Sequence, residues 1–156
     1  MSQICLTYTA PWFFFKIEPE YYCEVVEYRK LILRYLDGKV VPALVGFFEN
    51  GTDPITAIKR DGTPLCVNVS ELKAAFFVRD YLGNPSYQSL LDEEELRKRT
   101  SGTFVRLYFK DGETMMGQVA KDTDFTKGFF VKVLDPDDNN ILVYVNPGSL
   151  SKPPEI

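Results

Sequence analysis

One short unit is written twice in this chain. Leu31-Ile32-Leu33-Arg34-Tyr35-Leu36 leads into Asp37-Gly38 and then Lys39-Val40-Val41. Val105-Arg106-Leu107-Tyr108-Phe109-Lys110 leads into Asp111-Gly112 and then Glu113-Thr114-Met115. Before each Asp-Gly the pattern has period two, so alternate side chains fall on opposite faces of a strand. Asp-Gly is a strong signal for a tight hairpin, because glycine takes a positive φ without steric cost. A third such pair, Asp61-Gly62, separates residues 55–59 from residues 65–69. Repeated strand–turn–strand units constrain the chain to small antiparallel meanders. The expected fold is all-β: two tandem small five-stranded β-barrels with one short linker helix.

Composition agrees with that class. The chain has 156 residues, 45% of them apolar, which suits one ordinary domain or two very small ones. Aromatic content is 14%, from twelve Phe, nine Tyr and one Trp, and such side chains pack well on pleated, half-buried surfaces. The formal charge of -4 disfavours nucleic acid as a partner, because phosphates select basic faces. There is no histidine, which removes the commonest general base and metal ligand. Cys5, Cys23 and Cys66 show neither paired nor zinc-type spacing and read as small buried residues of a reducing, cytoplasmic protein. The first residues lack a basic region followed by a long apolar core, so no signal peptide is expected. No apolar run approaches the ~18 residues of a membrane span.

The pattern along the chain divides it into four parts. Residues 1–28 form an aromatic arm expected to pack on the first barrel, with Trp12, Phe13, Phe14 and Phe15 at its centre. Residues 29–79 form the first barrel, with strands at 31–36, 40–48, 55–59, 65–69 and 74–78. Pro42 should sit at an edge or bulge, since proline donates nothing to a ladder. Residues 80–102 form a linker. It opens with the breaker Gly83-Asn84-Pro85-Ser86, and acidic Asp92 to Glu95 precede basic Arg97 to Arg99, which favours a short helix within 90–99. Residues 103–156 form the second barrel, where Gly117 should let a strand bend sharply. Pro153 and Pro154 make a poor fifth strand.

The second copy, Val105-x-Leu107-x-x-x-Asp111-Gly112-x-x-x-x-Gly117-Gln118-Val119 with Asp122, Asp124 and Phe125, resembles the first motif of Sm-like proteins, and of the bacterial RNA chaperone Hfq in particular. In the first copy Ala43 replaces the strand glycine. The resemblance implies a strongly bent small barrel. It does not carry the RNA pocket across. Those families place a cation in their second motif, where this chain has Tyr144-Val145-Asn146-Pro147-Gly148 and Asn68-Val69-Ser70-Glu71. A second run, residues 71–87, with LKAxFFVRDxxGNP at its centre, resembles the signature of an uncharacterised bacterial family. Asp135-Pro136-Asp137-Asp138-Asn139-Asn140 is similar to a later part of it. That resemblance implies a regulatory or scaffolding role and no chemistry.

No catalytic constellation emerges, no cofactor is implied, and the protein reads as a non-enzyme. The carboxylates at Asp135 to Asn140 lack the distal glutamate of a calcium loop. The preferred function is a protein-interaction or regulatory adaptor, with contacts at Trp12, Phe13, Phe14, Phe15, Phe76 and Phe77. Open strand edges and aromatic patches are natural docking surfaces. The alternative is an Sm-like RNA binder stacking bases on Tyr108 or Phe125. A third reading takes Arg29, Arg34, Asn68 and Ser70 as a cyclic di-GMP site. These resemble the RxxxR and (D/N)xSxxG motifs of PilZ domains, although Arg29 and Arg34 are one residue too far apart and Lys73 replaces the glycine. The partner is expected to be another protein. The chain itself is expected to be a monomer or closed dimer, because the proline-bearing tail should stop ring growth.

Overall fold

In the computed structural model, residues 27–156 are described. The elements run β1 (Arg29–Tyr35), β2 (Val40–Val45), β3 (Ile55–Lys59), β4 (Pro64–Val67), β5 (Leu72–Val78), α1 (Glu93–Lys98), β6 (Thr103–Tyr108), β7 (Thr114–Val119), β8 (Phe129–Lys132) and β9 (Asn140–Val145). The protein is mainly β. Single 3₁₀ turns, Val69–Glu71 and Pro147–Ser149, follow β4 and β9. Trp12, Phe13, Phe14, Phe15, Cys5 and Cys23 lie outside the described residues.

The strands form one antiparallel sheet in the order β4-β3-β2-β1-β5-β9-β8-β7-β6. This continuous sheet stands where two separate barrels were expected. The cause is β5, which pairs with β1 along one edge and with β9 along the other. β5 and β9, distant in sequence, thus satisfy each other's backbone groups.

Sharing a strand explains why its sequence does not alternate. Leu-Lys-Ala-Ala-Phe-Phe-Val is buried throughout β5. Ala75 and Phe77 join Leu31, Leu33, Val45 and Ile55 in one core, while Ala74, Phe76 and Val78 join Val105, Leu107 and Val131 in the other. β9 behaves alike: Tyr144 enters the first core, Val143 and Val145 the second. Phe76 and Phe77 were expected at an exposed docking edge. They are 8% and 2% exposed, because β5 is an inner strand with a core on each face. Burying a side chain of that size stabilises by roughly 1.5–3 kcal/mol.

Other details follow from the bends. Val105 pairs with Gly117 as Leu31 pairs with Ala43. A Cβ on Gly117 would lie 2.5 Å from Val131 Cγ1 and 2.6 Å from the Lys132 carbonyl, so β8 crosses too close for any side chain there. Pro42 lies opposite Ile32, just outside the short β2–β3 ladder of Ala43–Lys59 and Leu44–Ile58, where a missing N–H costs nothing. The tail pairs with β6 and the residue after it through two isolated bridges, Phe109–Leu150 and Arg106–Glu155, with both prolines between them. Cys66 is exposed on edge strand β4, contrary to the expected burial.

The short linker helix falls within the expected stretch, at Glu93–Lys98. Asp92 caps it by accepting from Glu95 N at 2.9 Å, while Glu95 accepts from Asp92 N at 3.2 Å, so the helix cannot begin earlier. Leu96 is its buried anchor, packed with Phe104 and Leu134.

Candidate functional site: a basic groove at the end of the shared strands

A groove of about 950 Å³ opens where β1 begins, β5 and β8 end, and β9 begins. Its floor is apolar, built from Phe77, Leu134, Ile141 and Leu142. Ile141 reaches the floor through a β-bulge. Phe77 pairs with Leu142 and Val78 with Asn140, which leaves Ile141 as the extra residue on β9. Bulges commonly re-aim a side chain in this way. Ile141 remains 42% exposed, a large apolar side chain presented to solvent.

Five cations line the groove: Arg29 and Lys30 from β1, Arg79 just past β5, Arg99 at the end of α1, and Lys132 from β8. All five are exposed, and none forms an ion pair among the described residues. The Arg29 guanidinium lies 4.3 Å from the centroid of the Phe77 ring. Arg79 donates from Nε to the Asp138 carbonyl at 3.1 Å and from Nη2 to the Pro136 carbonyl at 3.2 Å. Lys30 Nζ donates to the Arg79 carbonyl at 3.3 Å.

One carboxylate, Asp135, belongs to the lining, and it is already engaged. Ser89 Oγ donates to Asp135 Oδ2 at 2.7 Å, the Tyr87 hydroxyl donates to the same oxygen, and Asp137 N donates to Oδ1 at 2.9 Å. Hydrogen bonds from Ser89 first and then Tyr87 hold the Asp135 carboxyl below its ordinary range. Burial first, and then Asp135, pushes Tyr87 up to about 12.

These bonds join two stretches distant in sequence. Asn139 Nδ2 donates to the Asp80 carbonyl at 2.9 Å, and Asp80 N donates back to Asn139 Oδ1 at 3.0 Å. The run after β5 and the Asp-rich turn before β9 therefore build one wall of the groove together. Within the turn, Asp138 accepts from Asn140 N at 2.9 Å. Among the described residues no cluster of His, Cys, Asp and Glu could hold a metal ion.

A second polar cluster lies at the opposite end of β5. Lys73 is 5% exposed. Arg34 pairs with Ala74 and Tyr35 with Leu72, so Lys73 is the extra residue of another bulge. Its ammonium donates to Asp111 at 2.7 Å and also to Glu113, with the Phe109 ring centroid 4.6 Å away. Glu113 pairs further with Arg34 at 3.3 Å. This cluster ties the Asp111-Gly112 hairpin to β1 and β5.

The structure does not gather the four residues of the cyclic di-GMP reading. Arg29 lies in the groove, Arg34 beside Lys73, and Ser70 in a smaller cleft with Gly51 and Thr126. Asn68 is the N-cap of the first 3₁₀ turn. The two aromatics considered for base stacking are also engaged. Lys152 sits 4.1 Å over Tyr108, and Phe125 packs edge-on to Phe129 at 5.0 Å. Of the two described residues expected to bind a partner, Phe76 and Phe77, Phe77 borders the groove. Arg29 was named from the sequence for a different ligand, but the five cations were not seen as one group, because they come from four elements that the β5–β9 pairing brings together.

Residues 27–153 match a family described as a family of unknown function (DUF6982), and the chain belongs to that family. No curated protein and no solved structure matches the chain. No helix among the described residues is long and apolar enough to cross a membrane.

Proposed function

We propose that this protein is a non-enzymatic interaction module, an adaptor that receives a protein partner in the basic groove. The observation that carries the reading is a wide depression with an apolar floor and five cations lacking carboxylate partners among the described residues. Exposed apolar surface rimmed by polar groups marks a contact site. We also read the halves as two Sm-like units fused side by side. The order β5-β1-β2-β3-β4 in the first is repeated as tail-β6-β7-β8-β9 in the second, which supports this reading.

A photo-crosslinking side chain at Ile141, compared with one at exposed Lys121 outside the groove, tests the adaptor reading in cells. Protein adducts from position 141 that disappear in Lys132→Glu support it. Nucleic-acid adducts, or equal yields from both positions, refute it.

A further inference from the structure

Resting on the adaptor reading, the geometry points to one class of partner segment: an extended, acidic stretch of another protein that carries apolar side chains between its carboxylates. Charge is the first argument. The whole chain is negative, yet this groove collects five cations, and the one carboxylate among its described lining residues is held by Tyr87, Ser89 and the Asp137 amide. Juxtaposed like charges repel, so a basic segment is rejected and an acidic one steered in.

The second argument is the distribution of the cations. They come from four elements of the lining, an arrangement that suits several carboxylates spaced along a chain. Arg79 gives Nε and Nη2 to carbonyls, which weakens the case for a bidentate phosphate grip there.

The floor supplies the third argument. Nucleic-acid grooves offer ring faces on which bases stack. Phe77 is the one aromatic ring among the described lining residues, it is 2% exposed, and Arg29 lies over it. The rest of the floor is aliphatic, and Ile141 stands proud of it through its bulge. A strand-like segment with period two would place its apolar side chains on Ile141 and Leu142 and turn its carboxylates toward the rim.

Fluorescence anisotropy on the full chain tests this with three labelled probes. One is a ten-residue peptide alternating Glu with Phe and Ile. Another is the same peptide with Lys for Glu, and the last is a single-stranded RNA decamer. The variants are Lys132→Glu, Arg99→Glu and Ile141→Ser, all at exposed positions, with circular dichroism to confirm the fold. The acidic peptide is expected to bind and to weaken as salt rises. Each charge reversal should raise Kd about tenfold, a change of about 1.4 kcal/mol, and Ile141→Ser should weaken binding without altering the salt dependence. If the acidic peptide fails to bind, or binds with no response to the variants, the inference is wrong. Groove-sensitive binding of the Lys peptide would overturn the acidic specificity and leave the adaptor reading standing. Groove-sensitive binding of RNA alone would overturn both.

Discussion

At the scale of single residues, two positions carry sharp expectations. Gly117 is required by close approach, so Gly117→Ala should destabilise by about 1–3 kcal/mol, the usual range for overpacking, read as a lower urea midpoint at unchanged slope. The other position is Tyr87, bound to Asp135. Its pKa of about 12 lies above its ordinary value, so its contribution is complete below about pH 10 and is lost as pH climbs through the raised value. Asp135 is depressed, so its contribution is present above the ordinary carboxylate range and lost as pH falls below it. Tyr87→Phe should cost roughly 1–2 kcal/mol at neutral pH. It should also flatten part of the alkaline decline, as chemical denaturation across pH would show. Among the described residues Tyr35, Tyr81 and Tyr144 are also raised and add to the decline.

Among the elements, β5 is the one whose role its own sequence hides. The hairpins were legible because their signals are local. Asp37-Gly38, Asp61-Gly62 and Asp111-Gly112 all turn where expected, with glycine φ values of 93°, 90° and 92°. β5 was legible as a strand but not as an inner one, since its outer partner β9 follows only after α1 and three more strands. Its bulge at Lys73 and the one at Ile141 were invisible, because a bulge is set by pairing. The groove was illegible for the same reason, although Arg79 and Asp135 both lay in stretches that drew notice. Phe76→Ala should cost about 3–5 kcal/mol, the penalty of a core cavity, where a surface docking residue would cost almost nothing. Lys73→Met keeps the apolar stem and removes the charge. The Asp111 carboxyl, held low first by the hydrogen bond from Lys73, should then titrate closer to its ordinary value by NMR. The stability that Asp111 supplies above that range should shrink.

For the molecule as a whole, the two cores lie on opposite faces of β5 and β9. Neither can be lost while the other keeps its wall. Thermal unfolding is therefore expected as one cooperative transition, with calorimetric and van't Hoff enthalpies equal. Ile55→Ala in the first core and Val131→Ala in the second should each shift that one transition. Two resolved transitions, each sensitive to a different variant, would show that the halves unfold independently.

The shared strand also has a consequence for synthesis on the ribosome. β5 emerges well before β9, and at roughly 5–20 residues per second the interval is several seconds. During that time the nascent first half carries an unpaired β5 edge and the uncovered face of Phe76. An open edge beside apolar surface is a template for misassembly between neighbouring nascent chains. Slow translation across residues 80–140 would lengthen this exposure, and a chaperone that holds β5 until β9 arrives would raise the soluble yield.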